Sequence, residues 1–282
     1  MRAILIGLAS LLIASCGRAE ASSNALSEDE MTDKLQELQD KVESLQNQVG
    51  VQEDIEAIRT LHYTYAYYMD RALFDQVFDL FSENMESCEA GGRGVYKGKA
   101  QCMVLWQKIW GVYGGAENKL KYGQMVEHFV TKLVITVDKD RKTAKSRAHY
   151  FGLGGVYQMP QYSGAQTGIY RLDYVKEDGV WKISKFYLPF TTTGYNFTTW
   201  AGEPGYSGCQ SADFPPDEPT TNYHPFPEVY VVPFHYPNPV SGKEVAENGY
   251  TDPTHYWIGN WPGQEGQCGH EQPAMPAQPT TP

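Results

Sequence analysis

Tyr63 and Tyr67 stand four residues apart in a stretch with helical spacing, so their phenols fall on one side, one turn apart. A phenol beside a bound hydroxyl can protonate it as it leaves. Tyr65 and Tyr68 form the neighbouring face and are expected to pack. Arg93 in a glycine-rich turn, Trp106, Tyr150 and Tyr170 are candidates to hold a small molecule. Strand alternation lets only one of His149 and Tyr150 face inward. The sequence has no HExxH, paired CxxC, Walker loop or GxSxG. Gly152-Leu153-Gly154-Gly155 closes a strand-like run without the helix that a phosphate loop needs. His224, His235 and His255 are dispersed along a proline-rich stretch, so no metal site is expected there.

These residues sit in a chain that reads as exported. Arg2 followed by the apolar run Ile4–Ala14 has the form of a secretory signal and is too short to span a bilayer. Two cleavage patterns remain open: Ile13-Ala14-Ser15-Cys16 resembles a bacterial lipobox, and Ala19-Glu20-Ala21 suits ordinary signal peptidase after Ala21. The expected location is the periplasm, or the outer membrane with a lipid on Cys16. A net charge of -11, with the basic residues scattered, argues against nucleic acid and anionic membranes as partners. Without Cys16 an even set of cysteines remains, which an oxidising compartment would pair. The favoured pairing is Cys88 with Cys102 and Cys209 with Cys268, each within one compositional region; free buried thiols are the alternative.

Residues 22–30 read as a polar tether. Met31, Leu35, Leu38, Val42, Leu45 and Val49 then form a heptad seam that Gly50 is expected to end, joining an oligomer of two or three chains or packing on its own chain. From residue 52 the spacing predicts a helix with Leu61, Tyr65, Tyr68 and Met69 on one face. A short helix follows with Phe74, Val77, Phe78 and Phe81 inward. A hairpin over Met85–Ala90 and Val95–Lys97 leads to a third helix, Ala100–Val112, with Trp106 and Trp110 on a common face. Four strands follow, Tyr122–Val137, Thr143–Gln158, Gln166–Lys176 and Trp181–Phe190, joined by turn residues and paired antiparallel in sequence. The fold class is α+β, three helices on a curved antiparallel sheet forming a cone. Beyond Phe190 lie fifteen of the seventeen prolines, a density that excludes long helices and central strands. Residues 191–265 read as an irregular aromatic wrap, with Val229–Val232 as one short edge strand and 272–282 mobile. Asn196-Phe197-Thr198 is a glycosylation sequon that a bacterial signal makes idle.

Several strings in this order resemble the SnoaL-like group of the nuclear transport factor 2 superfamily, which includes scytalone dehydratase. They are Ile55-Glu56-Ala57-Ile58-Arg59, Asp70 with Asp75, Glu127-His128-Phe129-Val130-Thr131, Thr143-Ala144-Lys145-Ser146 and Asp178-Gly179-Val180-Trp181-Lys182-Ile183, over residues 52–190. The resemblance implies a ligand pocket inside the cone, partly apolar, and no cofactor. Relatives include dehydratases, isomerases, polyketide cyclases, epoxide hydrolases and formaldehyde-releasing lyases of lignin-derived dimers, so fold alone does not choose the reaction. Asp70 and His128 fall on the dehydratase pattern as a carboxylate and the base it orients. The tyrosine preceding that aspartate is Met69 here, and the family's second histidine falls near Gly154.

The resulting expectation is a cofactor-independent lyase for a hydrophobic, hydroxylated aromatic molecule, by dehydration or deformylation. His128 would remove a proton while Tyr67 or Tyr63 protonates the leaving hydroxyl. An isomerase or cyclase using the same base, and a non-catalytic ligand-binding or scaffold lipoprotein, are the alternatives.

Overall fold

The computed structural model describes residues 27–109, 119–157, 163–195, 213–218 and 232–245. The chain divides into two units, residues 1–47 and 48–282. The first is seen as the beginning of α1 (Glu28–Met69), one 42-residue helix that continues into the second. Ser27 and Glu30 open it with a capping box: Ser27 Oγ accepts the Glu30 N–H, and the Glu30 carboxylate accepts the Ser27 N–H. Residues 28–30, expected in a tether, are therefore helical. No helix among the described residues is long and apolar enough to cross a membrane.

Gly50 does not end the helix. It is buried, and a Cβ there would lie 1.9 Å from Nη1 of Arg141. The glycine admits a side chain that must come close to the helix backbone. Arg141 reaches past it and donates Nε–H to Asp54 (2.6 Å), which also accepts from Lys176 (2.6 Å) and from Trp181 Nε1 (3.0 Å). Burial alone would raise the Asp54 pKa, but these donors outweigh it and hold the carboxyl at about 2. One carboxylate thus ties α1 to the sheet.

The second unit is an α+β cone. After α1 come α2 (Phe74–Asp79), a hairpin of β1 (Ser87–Ala90) and β2 (Val95–Lys97), and α3 (Gly98–Val104), which widens into a π turn over Leu105–Ile109. The strands β3 (Gln124–Val137), β4 (Thr143–Val156), β5 (Gly164–Glu177) and β6 (Val180–Leu188) pair antiparallel in chain order, and β1 joins β6 in parallel. β3 is an edge strand, bent where Lys132 takes φ 53° at a register shift between Thr131 and Val134.

A seventh strand, β7 (Phe190–Tyr195), corrects the expectation of an irregular wrap from 191 onward. It pairs with the first part of β5, and a glycine at 168 leaves room there, since a Cβ would lie 2.6 Å from the Pro189 carbonyl oxygen. Past it, the described pieces of the extension lie on the cone. Phe214 O accepts the Tyr96 hydroxyl, Glu218 bridges to Val95, and Arg147 donates to Val232 O with its guanidinium 4.2 Å over the Phe234 ring. Val232 is buried but outside any strand. Residues 1–26, Trp110, the Asn196 sequon, His224, 229–231, His255 and 272–282 lie outside the described residues.

Alternation decides what enters the cone. Ala144, Ser146, Ala148 and Tyr150 of β4 face Tyr170, Leu172 and Tyr174 of β5, all buried. With Phe74, Val77, Phe78 and Phe81, which all point inward as expected, they form the core. Tyr65, Phe81, Trp106, Tyr170 and Phe186 meet at ring-centroid distances of 5.0–6.5 Å. Cys88 and Cys102 are bonded to each other, joining β1 to α3; Cys209 and Cys268 lie outside the described residues.

Candidate active site

α1 stops at Met69 and the chain turns at once, with Asp70 N–H on the Ala66 carbonyl and Ala72 at φ 52°. The turn aims Asp70 at the edge strand. Its Oδ1 accepts the backbone N–H of His128 (2.6 Å) and lies 2.9 Å from that residue's Nδ1. Both side chains are only 9% exposed. An ionised carboxylate only accepts, so the ring nitrogen facing it carries the proton and Nε2 keeps its lone pair. The arrangement is that of an oriented base.

Tyr150 completes this end of the cone. Its ring centroid is 5.5 Å from that of His128, and the Phe190 ring stacks on it at 5.8 Å. Gly152, directly across from His128 in the register, makes room for the phenol: a Cβ there would stand 1.9 Å from Tyr150 Oη. A carboxylate, an imidazole and a phenol therefore converge. Of His149 and Tyr150, only the tyrosine faces inward.

Tyr63 and Tyr67 do not belong to this group. They are 36% and 72% exposed, because the buried stripe of α1 is Asp54, Ile58, His62, Tyr65, Ala66 and Met69. The apolar spacing pointed to Leu61 and Tyr68, which are only half-buried; a histidine and an aspartate occupy true core positions and disguise the face. Trp106 is fully buried and donates Nε1–H to Tyr65 Oη (3.3 Å), so it is core and not ligand surface. Tyr170 is likewise fully buried, its ring 5.4 Å from Tyr150. Arg93 is half-buried in the β1–β2 turn, where its charge acts on Tyr96.

A second histidine was missed. His62 is fully buried, its Nδ1 3.0 Å from Tyr174 Oη and 3.5 Å from Ser146 Oγ, with those two oxygens 2.8 Å apart. Burial lowers its pKa to about 3, so the ring is neutral. Its Nε2 and the Tyr170 hydroxyl have no hydrogen-bond partner among the described residues. The only signal in sequence was its place four residues after Ile58 and three before Tyr65.

A cavity of about 710 Å³ opens on the other face of the sheet, lined by Glu89, Lys145, Arg171, Asp173 and Lys185 among others. It includes none of Asp70, His128 and Tyr150, and ion pairs such as Lys185 with Glu86 neutralise part of its wall. His235 sits over the same face, held neutral by burial first and by Arg171, Lys145 and Arg147 second, its pKa about 4. No three His, Cys, Asp or Glu side chains among the described residues group to hold a metal.

Residues 51–187 match the family described as a SnoaL-like domain. The match covers just under half of the chain. Solved structures similar to it include a candidate scytalone dehydratase from Novosphingobium aromaticivorans, 18% identical over 51% of this chain and 88% of that one, TM-score 0.41. Another is the hexachlorocyclohexane dehydrochlorinase LinA-type3 from Novosphingobium barchaimii, 18% identical over 53% and 92%, TM-score 0.42. At these scores the likenesses carry no argument about activity. No curated protein matches the chain. The matched segment runs from α1 into β6 and contains Asp70, His128 and Tyr150.

Proposed function

We propose that this protein is a cofactor-independent lyase for a hydrophobic, hydroxylated aromatic molecule. The observation that carries the reading is the Asp70–His128 contact of 2.9 Å with Tyr150 beside it. His128 Nε2 takes a proton from carbon, the C–H electrons become the new double bond, and the C–O bond breaks toward the hydroxyl. Tyr150, in place of the expected Tyr63 or Tyr67, gives that oxygen its proton, so that water leaves. Asp70 stabilises the imidazolium and keeps its tautomer.

With a para-phenol on the substrate, loss of water gives a quinone methide. Removing the proton of an adjacent hydroxymethyl group then breaks its C–C bond, releasing formaldehyde and leaving an alkene as the ring regains its phenol. Export, with or without a lipid on Cys16, is part of the proposal; the Cys88–Cys102 bond supports an oxidising compartment.

The test is turnover of a panel of aromatic diols, followed by formaldehyde release and by ultraviolet absorbance of the alkene. Turnover by the wild type that falls on His128→Ala supports the lyase. A folded wild type silent on the whole panel, or a His128→Ala variant that turns over equally well, would sink it.

A further inference from the structure

Along α1, Met31, Leu35, Leu38, Val42, Leu45 and Val49 are each 51–57% exposed, and every residue from 27 to 49 is exposed. An isolated helix of three heptads is marginal, because nucleation is costly and little is buried. This one is continuous with the helix that supplies Ile58 and Tyr65 to the core, so its nucleus is already formed. Among the described residues, nothing covers the seam.

Its flanks say which cover fits. The positions just before the seam's Leu35, Val42 and Val49 are Lys34, Lys41 and Gln48; those just after Met31, Leu38 and Leu45 are Thr32, Gln39 and Gln46. The acids Asp33, Glu37, Asp40 and Glu43 lie on the far side. We propose that a second copy of this chain covers the seam as a parallel, two-stranded coiled coil. In parallel, Lys34 of one copy meets Gln39 of the other and Lys41 meets Gln46, with no like charges opposed. An antiparallel copy overlapping the whole seam sets Lys41 against Lys41. Val42 and Val49 alternating with Leu38 and Leu45 favour two strands over three.

Light scattering on the purified full chain is expected to give twice the chain mass. Leu38→Lys should raise the dimer dissociation constant about a hundredfold or more, since two buried leucines are lost, while near-ultraviolet circular dichroism of the cone is unchanged. Leu35→Cys should form a disulfide-linked dimer on mild oxidation, and Glu37→Cys, on the far side, should not. A monomeric wild type, a mass of three chains, a dimer that survives Leu38→Lys, or equal cross-linking at 35 and 37 would overturn the proposal.

Discussion

Two histidines face the interior of the cone and are built for opposite ends. His128 is held by a carboxylate through both its ring and its backbone, with one ring nitrogen left basic. Among the described residues the hydrogen-bond partners of His62 are hydroxyls, Tyr174 and Ser146, and burial keeps it neutral, its pKa lowered to about 3. The lesson is that residue type alone does not make a base. A histidine can accept a proton in mid-reaction only where something nearby stabilises the resulting cation.

Exchanging their fates by mutation sharpens the contrast most. His128→Ala should lower turnover by about 10²–10⁴-fold with little change in melting temperature, whereas His62→Ala should cost about 3 kcal/mol of stability and leave turnover per folded molecule near wild type. Chemical denaturation paired with initial rates separates the two; a His62→Ala variant that is stable but inactive would break the comparison. Asp70→Asn should act on the same side as His128→Ala. It is expected to slow turnover by about a hundredfold, since an amide can neither fix the tautomer nor stabilise the imidazolium.

Acid provides a milder discriminator. The folded-state pKa of His62 lies below its ordinary value, so between about pH 6.5 and 3 only the unfolded chain takes up its proton. Stability therefore falls as the pH drops through that window, and His62→Phe should flatten the slope there. Asp54, at about 2 in the folded chain, contributes stability above its ordinary value near 3.8 that is lost as the pH falls toward 2, about 2 kcal/mol in all. Urea titrations between pH 7 and 2 would show the two windows; a His62→Phe variant with the wild-type slope would remove the first. The smallest effect is expected at Gly50→Ala, where about 1 kcal/mol of helix propensity is gained and offset by displacing Arg141 from Asp54. Melting temperatures within a few degrees of wild type are expected; a large loss would show that the Asp54 cluster outweighs propensity.

The dyad was legible in sequence because each member sits at a landmark, Asp70 where a long helix stops and His128 inside a strand with family-like neighbours. The strand order and the inward faces of α2 were legible for the same reason, since apolar periodicity and turn residues agreed. The face of α1 was legible only in part, through Tyr65 and Met69. Reading it by apolar spacing skipped Asp54 and His62, whose burial depends on partners up to 127 residues away in sequence, such as Trp181 on Asp54. The same reading put Tyr63 and Tyr67 forward as acids, with Tyr150 a weaker candidate. β7 escaped because Pro189 and a run of threonines look like the end of a sheet, yet the strand resumes across the proline against β5. Gly50 looked like a stop because helical glycine usually is one; the arginine that requires it lies in a distant turn.

The bond from the His128 amide to Asp70 reaches beyond orientation. β3 is an edge strand, and its backbone N–H at this point is satisfied by the residue that also aligns the imidazole. Docking of the edge and orientation of the imidazole are therefore a single event. Any opening that peels β3 from the turn after α1 parts His128 from Asp70 before the core is touched, and the exchange of that one amide proton with solvent would count how often it happens.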